Sequence, residues 1–224
     1  VHSELQSALQ PRESSPSLNT RDRILAASLR VFNDEGLSKV SLSRIALELD
    51  MSAGNLHYHF RNKEDIADAL IRHLEKDMDA LAGNEQPIEA LDDWCRALHL
   101  SFEVIYTYRF VYREIDYLLR KFPRLAPRAR RLTQQNLEVT RRRCTKLAAE
   151  GVLRATKEEI DSLAFQMVLT ATCWLTFTNI MSAEANPGIA TYHVLTILGP
   201  YLSEESRPYL DYLHNKHLSH GQRK

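Results

Sequence analysis

Two histidines, His57 and His59, flank Tyr58 in the stretch MSAGNLHYHFRNKED, which runs from Met51 to Asp65. Imidazoles ligate metals, move protons or donate to phosphates, so chemistry is sought here first. On a helix, residues two apart point to different sides, which is poor geometry for one shared ion. We therefore expect no metal site and no cofactor. The chain carries nine His and 29 acidic residues. Yet it has no nucleophile elbow, phosphate-binding loop, dinucleotide fingerprint or HExxH pair. We expect no enzyme and no catalytic residue. Ahead of the histidines stand Ser52, Ala53, Gly54 and Asn55. They are small or polar, as a surface must be where another backbone comes close.

The flanking elements have to hold that stretch in place. Asn19 or Thr20 caps a helix running to Glu35, with Ile24, Leu25 and Phe32 at helical spacing and Gly36 as its stop. Ser41 caps a short second helix that turns Ile45, Ala46 and Leu49 inward. Asp50-Met51 is a tight connection, and Ser52 caps a third helix over Ala53 to His59. Asn62, with Asp65 three residues on, opens a fourth helix carrying Ile66, Leu70, Leu74 and Leu81. Beyond Pro87 the pattern predicts longer helices: Ile88–Tyr106, Arg109–Lys121, Pro127–Gly151, a capped helix from Thr156 to Met181, Ile189–Tyr201 and Glu204–His214. No strand and no repeat is predicted. The chain reads as all-α.

Two short helices joined by a tight turn form a helix-turn-helix, whose second helix must fit a major groove about 12 Å wide. Gly54 lets a backbone approach, at a propensity cost of about 1 kcal/mol. Asn55 is suited to adenine or to phosphate. Leu56 and Phe60, four apart, face inward. Tyr58 and Lys63 can reach phosphates, although Tyr58 taken alone reads equally well as core.

The set Ile45-Ala46, Met51-Ser-Ala-Gly-Asn-Leu-His-Tyr-His-Phe60 and Asn62-Lys63-Glu64 resembles the TetR-type bacterial transcription regulators, over roughly Thr20 to Leu70. The resemblance implies DNA contacts from Ser41, Ser52, Ala53, Gly54, Asn55, His57, Tyr58, His59 and Lys63, with Arg44 as a candidate. His57 stands where the family usually has tyrosine, and Ser43 where it often has arginine. The resemblance also implies a homodimer bound to a near-palindromic, double-stranded operator and released by a small effector. Repression is the expected outcome. The alternatives are an activator of the same fold, or a helical enzyme or adaptor that does not bind DNA.

The expected organisation is an arm over 1–18, the helix-turn-helix domain over 19–64, a connecting helix over 65–84, a helical ligand-binding and dimerisation domain over 85–215, and a flexible tail over 216–224. In the second domain Trp94, Leu98, Phe102, Ile105, Phe110, Tyr112 and Ile115 form an apolar stripe that is either core or cavity wall. Phe165, Leu169 and Cys173 are further candidates for the cavity. The helix from Lys157 is apolar almost all round and must be covered on most sides. Val168, Thr172, Leu175, Tyr192, Leu195 and Leu198 are the expected dimer residues. Ten cations fall between Arg120 and Lys146, against Glu138 alone. They form either a solvated face, a partner-binding face, or a head-group site in which Arg142 or Arg128 holds an anion.

The formal net charge is zero, so any basic surface must be local. Three cysteines at odd count and without CxxC spacing fit a reducing, cytoplasmic setting. No run of 18 apolar residues suggests a membrane span.

Overall fold

The computed structural model describes residues 19–83 and 91–217. The expected arm over 1–18, the Pro87–Ile88 helix start and residues 218–224 lie outside them.

The first three helices are α1 (Thr20–Glu35), α2 (Leu42–Glu48) and α3 (Ala53–His59). Each begins where a polar side chain satisfies an orphan backbone donor. Asn19 accepts from the Asp22 amide at 2.9 Å, Ser41 from Arg44 at 3.1 Å, and Ser52 from Asn55 at 3.2 Å. Gly36 ends α1 at φ 90°, and Asp50 turns the chain between α2 and α3 at φ 50°. Ile24, Phe32, Ile45, Leu56 and Phe60 meet in a core under this unit.

The fourth helix, α4 (Lys63–Gly83), opens with Asn62 accepting from the Asp65 amide at 2.9 Å. It packs on α1 and on α5 (Leu91–Thr107), so it belongs to both halves of the molecule. After α5 come α6 (Arg109–Arg113), α7 (Ile115–Lys121), α8 (Ala126–Ala149), α9 (Lys157–Ile180), α10 (Pro187–Thr196) and α11 (Pro208–His217). Thr156 and Glu159 form a reciprocal capping box at the start of α9. Helix α9 lies along α8 and touches α6 and α10, while α10 packs on α5 and α11. Among the described residues there is no strand, only an isolated bridge between Leu153 and Leu202.

Three sequence expectations need correction. The Arg109–Lys121 helix is broken at Glu114, where φ is −125° and ψ 31°. Tertiary bonds overrule local propensity here: Glu114 accepts from Ser38, and the Phe110 amide donates to Asn33. The helix expected to reach Tyr201 stops at Thr196, and a 3-10 turn over Gly199–Tyr201 follows. Pro200 in that turn lacks the N–H that would continue a helix. The last helix begins at Pro208 and not at Glu204, and it runs to His217, into the expected tail.

Helix α9 is, among the described residues, the helix long and apolar enough to cross a membrane. Its Leu163, Ala164, Met167, Trp174 and Leu175 are instead buried against the rest of the chain.

Candidate nucleic-acid interface

Helix α3 is fixed from beneath and open above. Leu56 is fully buried and Phe60 nearly so, which anchors the helix on the core beneath it and on α2. Arg21, from the first turn of α1, donates to the His59 carbonyl at 3.0 Å, and its guanidinium lies 4.1 Å from the centre of the Phe60 ring. Both ends of α3 are therefore tied down, by Ser52 at one and Arg21 at the other. On the outer side Ser52, Ala53, Gly54, Asn55, His57 and Tyr58 are exposed, Tyr58 at 86%. His59 is half-buried and meets the Tyr58 ring edge-on. A methyl group added at Gly54 would meet nothing within 4 Å. The fold itself therefore does not require glycine there.

Ser41 is exposed at the start of α2. Arg44 is engaged with carboxylates, at 2.7 Å from Glu35 and 2.9 Å from Glu48. Hydrogen bonds from Arg44 and then Arg30 hold the Glu48 carboxyl below its usual range.

Lys63 does not face outward. Its ammonium donates to the carbonyls of Leu37 at 2.6 Å and Val40 at 2.9 Å, and lies 3.5 Å from that of Ser38. Burial lowers its pKa. The loop between α1 and α2 leaves these carbonyls unpaired, and the lysine serves as their donor. Lys39 and Arg61, which the sequence reading did not single out, and Ser43 are exposed beside the predicted contacts. Their positive or polar character next to the helix caps was the available signal. The sequence reading also missed Arg21, whose role depends on packing between α1 and α3.

A second concavity of about 80 Å³ lies between α4, α5, α8 and α9. Four of the expected wall residues line it: Leu98, Phe102, Ile105 and Tyr112. Trp94 and Phe110 do not; they are core, with Phe110 stacked 5.4 Å from Phe32. Ile115 is half-buried on α7 and also lies away from it. Helix α9 is rotated relative to expectation. Val168 and Thr172, expected at the dimer interface, line the concavity. Leu175, Leu195 and Leu198 are buried within the single chain, and Tyr192 is half-buried, 3.1 Å from His214. Phe165, Leu169 and Cys173, expected in the cavity, face outward instead. With Phe177 and Ile180, at 62% and 71% exposure, they make an apolar stripe along α9. Because that helix is apolar nearly all round, its pattern could not say which face turns in.

The arginine-rich segment is resolved in the same way. Arg128 pairs with Asp68 and Glu75, and Arg124 with Glu64, joining α8 and its preceding turn to α4. Arg141 pairs with Asp161. Arg142 is exposed, and its neighbour Arg143 lines the concavity. Neither Arg142 nor Arg128 is a cavity residue.

Among the described residues no group of His, Cys, Asp and Glu is placed to hold a metal.

Residues 24–70 match the profile of bacterial regulatory proteins, tetR family, and residues 70–210 match that of the bacterial transcriptional repressor TetR. An HTH-type transcriptional regulator of Staphylococcus aureus (strain USA300) is 31% identical over 99 residues, which is 44% of this chain and 45% of that protein. The chain thus matches less than half the length of such curated relatives. A TetR-family transcriptional regulator from Marinobacter aquaeolei VT8 superposes with a TM-score of 0.80 at 34% identity, over 89% of this chain and 98% of that one. The fold is shared with the SmeT–triclosan complex, at a TM-score of 0.62 and 16% identity, over 84% of this chain and 94% of that one.

Proposed function

The chain belongs to the TetR family of bacterial transcriptional regulators, DNA-binding proteins and not enzymes, and we propose that it acts as a dimeric repressor gated by a small effector. The observation that carries the DNA side is helix α3, tied at both ends with its small and polar face open. Asn55 reads a base edge, and the surface around Gly54 sits close to the sugar–phosphate ridges. Ser41, Ser52, Ala53, His57, Tyr58 and His59 contact the backbone. Lys39 and Arg61 join them in place of Lys63, whose ammonium is already occupied. Arg44 orients α2 through its two carboxylate partners.

The stripe Phe165, Leu169, Cys173, Phe177 and Ile180 supports dimerisation through α9. Contiguous exposed apolar surface of this kind marks an interaction site. Two copies of α3 would then meet successive major grooves about 34–36 Å apart.

The concavity between α5, α8 and α9 is the effector site. Triclosan bound to SmeT supports a small-molecule site in this fold. Tyr112 lines the concavity from α6, while Phe110 of the same short helix and Glu114 just after it hold α1 and its following loop. An effector that shifts α6 therefore acts on the DNA-binding unit, with α4 moving alongside. Full release requires roughly 5.5 kcal/mol of preference for the released form, or about 3 kcal/mol from each of two sites.

Selection of bound sequences from random duplexes tests this proposal. A repressor of this design enriches a near-palindrome with half-sites about one helical turn apart. An adaptor that has lost DNA binding enriches nothing.

A further inference from the structure

Helix α3 is seven residues long, too short to hold an orientation by its own hydrogen bonds. What mounts it on the rest of the chain differs at its two ends. Ser52 caps it from three residues away and so moves with it. Ahead of that cap the Met51 amide donates to the Ala46 carbonyl at 3.0 Å, which fastens the turn to α2. Leu56 is buried at mid-helix, but apolar contact is non-directional and does not fix rotation about the helix axis. At the far end no glycine closes the helix. Phe60 follows with extended backbone, at φ −141° and ψ 118°, and the His59 carbonyl is one of the acceptors orphaned there. Arg21 supplies its donor at 3.0 Å from 38 residues away in sequence. The same guanidinium lies 4.1 Å from the centre of the Phe60 ring. Arg21 is itself firmly based. Asn19 closes the turn around it by accepting from the Asp22 amide, and Ile24 and Leu25, three and four residues on, are buried in the core.

Resting on the DNA reading above, we infer that Arg21 is a positioning residue for sequence recognition: it sets the rotation of α3 and thereby the aim of Asn55. Asn55 and His59 are four residues apart and hence on one face of the helix, so a shift at the His59 carbonyl turns Asn55 with it. Pairing of an amide with a base edge tolerates little misplacement, whereas phosphate contacts carry no sequence information. Arg21 is exposed, so its loss costs little stability and is read mainly in specificity. Arginine suits both contacts at once, because a planar guanidinium lies on a ring while its edge donates to a carbonyl. Lysine keeps the charge and loses that fork.

The test compares Arg21→Met and Arg21→Lys with the natural chain, each with and without Asn55→Ala. Affinity is measured for the operator selected from random duplexes and for a scrambled duplex, over a range of salt concentrations. Arg21→Met should weaken operator binding about tenfold, within the range of one lost base contact, and scrambled-duplex binding hardly at all. Its salt slope and denaturation midpoint should stay near those of the natural chain, and Arg21→Lys should fall between the two. The double variant decides. With the Asn55 amide gone its aim no longer matters, so Arg21→Met should cost less than about twofold in the Asn55→Ala background. A tenfold loss there as well, about equal to that in the natural background, makes Arg21 independent of Asn55 and overturns the inference. A salt slope lower by about one per subunit makes Arg21 a direct phosphate contact and also overturns it. Should Arg21→Met not fold, the cycle is run with Arg21→Lys, whose operator loss should likewise vanish in the Asn55→Ala background. A natural chain that binds both duplexes alike removes the DNA reading itself. A natural chain that discriminates, with Arg21→Met discriminating equally, removes only the role of Arg21.

Discussion

The Glu114 carboxylate accepts two hydrogen bonds from Ser38, from its amide at 2.8 Å and from its hydroxyl at 2.7 Å. Ser38 lies in the loop that leads to the helix-turn-helix, and Glu114 is the break between α6 and α7. One side chain thus joins the DNA-binding unit to the element beside the effector concavity. Asn33 reinforces the joint, donating to the Thr107 carbonyl at 2.8 Å and accepting from the Phe110 amide at 3.0 Å.

The joint is tightly built around Gly36. That residue has φ 90°, and an added Cβ would come 2.8 Å from Glu114 Oε1. We predict that Gly36→Ala costs about 1–3 kcal/mol of stability, from a strained backbone conformation plus displacement of the carboxylate. Glu114→Ala should relieve the contact but loosen the joint, so that effector still binds and no longer lowers DNA affinity. Chemical denaturation checks the first, and DNA titrations with and without effector check the second. An effector response equal to that of the natural protein would remove Glu114 from the coupling.

Lys63→Ala should behave as a stability variant. Its ammonium satisfies the Leu37 and Val40 carbonyls, and hydrogen bonds to charged groups are worth about 1.5–3 kcal/mol each. The melting temperature should fall while the salt dependence of DNA binding keeps its slope. A slope lower by about one per subunit would restore Lys63 as a phosphate contact.

The α9 stripe predicts assembly. Leu169→Glu together with Phe177→Glu should give a folded monomer by sedimentation, with helical content kept. Cys173, exposed on the single chain, should react with a thiol reagent faster in that monomer than in the natural protein. Buried Cys144 should stay silent in both. Equal Cys173 rates would argue that α9 is not the covered face.

Burial pushes the Cys144 thiol up to about 12. A group whose folded pKa is raised lends stability below its unfolded value, near 8.5 for a thiol, and that stability is lost as pH rises toward about 12. Burial also raises the Tyr108 and Tyr112 phenols, and these act only above about 10. Burial of Lys63 acts with the opposite sign below its unfolded value, so the Cys144 contribution is read as a difference: between pH 8.5 and 10 the natural chain should lose stability relative to Cys144→Ala. Denaturant midpoints at pH 7.5 and 10 measure the difference.

What could be foreseen from the sequence was local. Asn19, Ser41, Ser52, Asn62 and Thr156 cap their helices within three residues, so their roles are legible without tertiary knowledge. The same holds for Leu56 and Phe60, whose spacing requires one inward face. The break at Glu114 was hidden because its partner Ser38 lies 76 residues away. The inward turn of Lys63 was hidden because the carbonyls it serves belong to the loop before α2. Which residues of α9 turn inward was not legible because a helix apolar on nearly every side carries no phase. On α8 it is Arg143, one residue along from Arg142, that lines the concavity, and a run of adjacent arginines carries no phase to choose between them.

The central claim is that the outer face of α3 reads base sequence. Its most direct test is the affinity of the natural protein and of Asn55→Ala for two duplexes at one salt concentration, the selected operator and a scrambled version. The account predicts that Asn55→Ala loses about 1–3 kcal/mol on the operator and little on the scrambled duplex. An equal loss on both duplexes, or no loss on the operator, would contradict it.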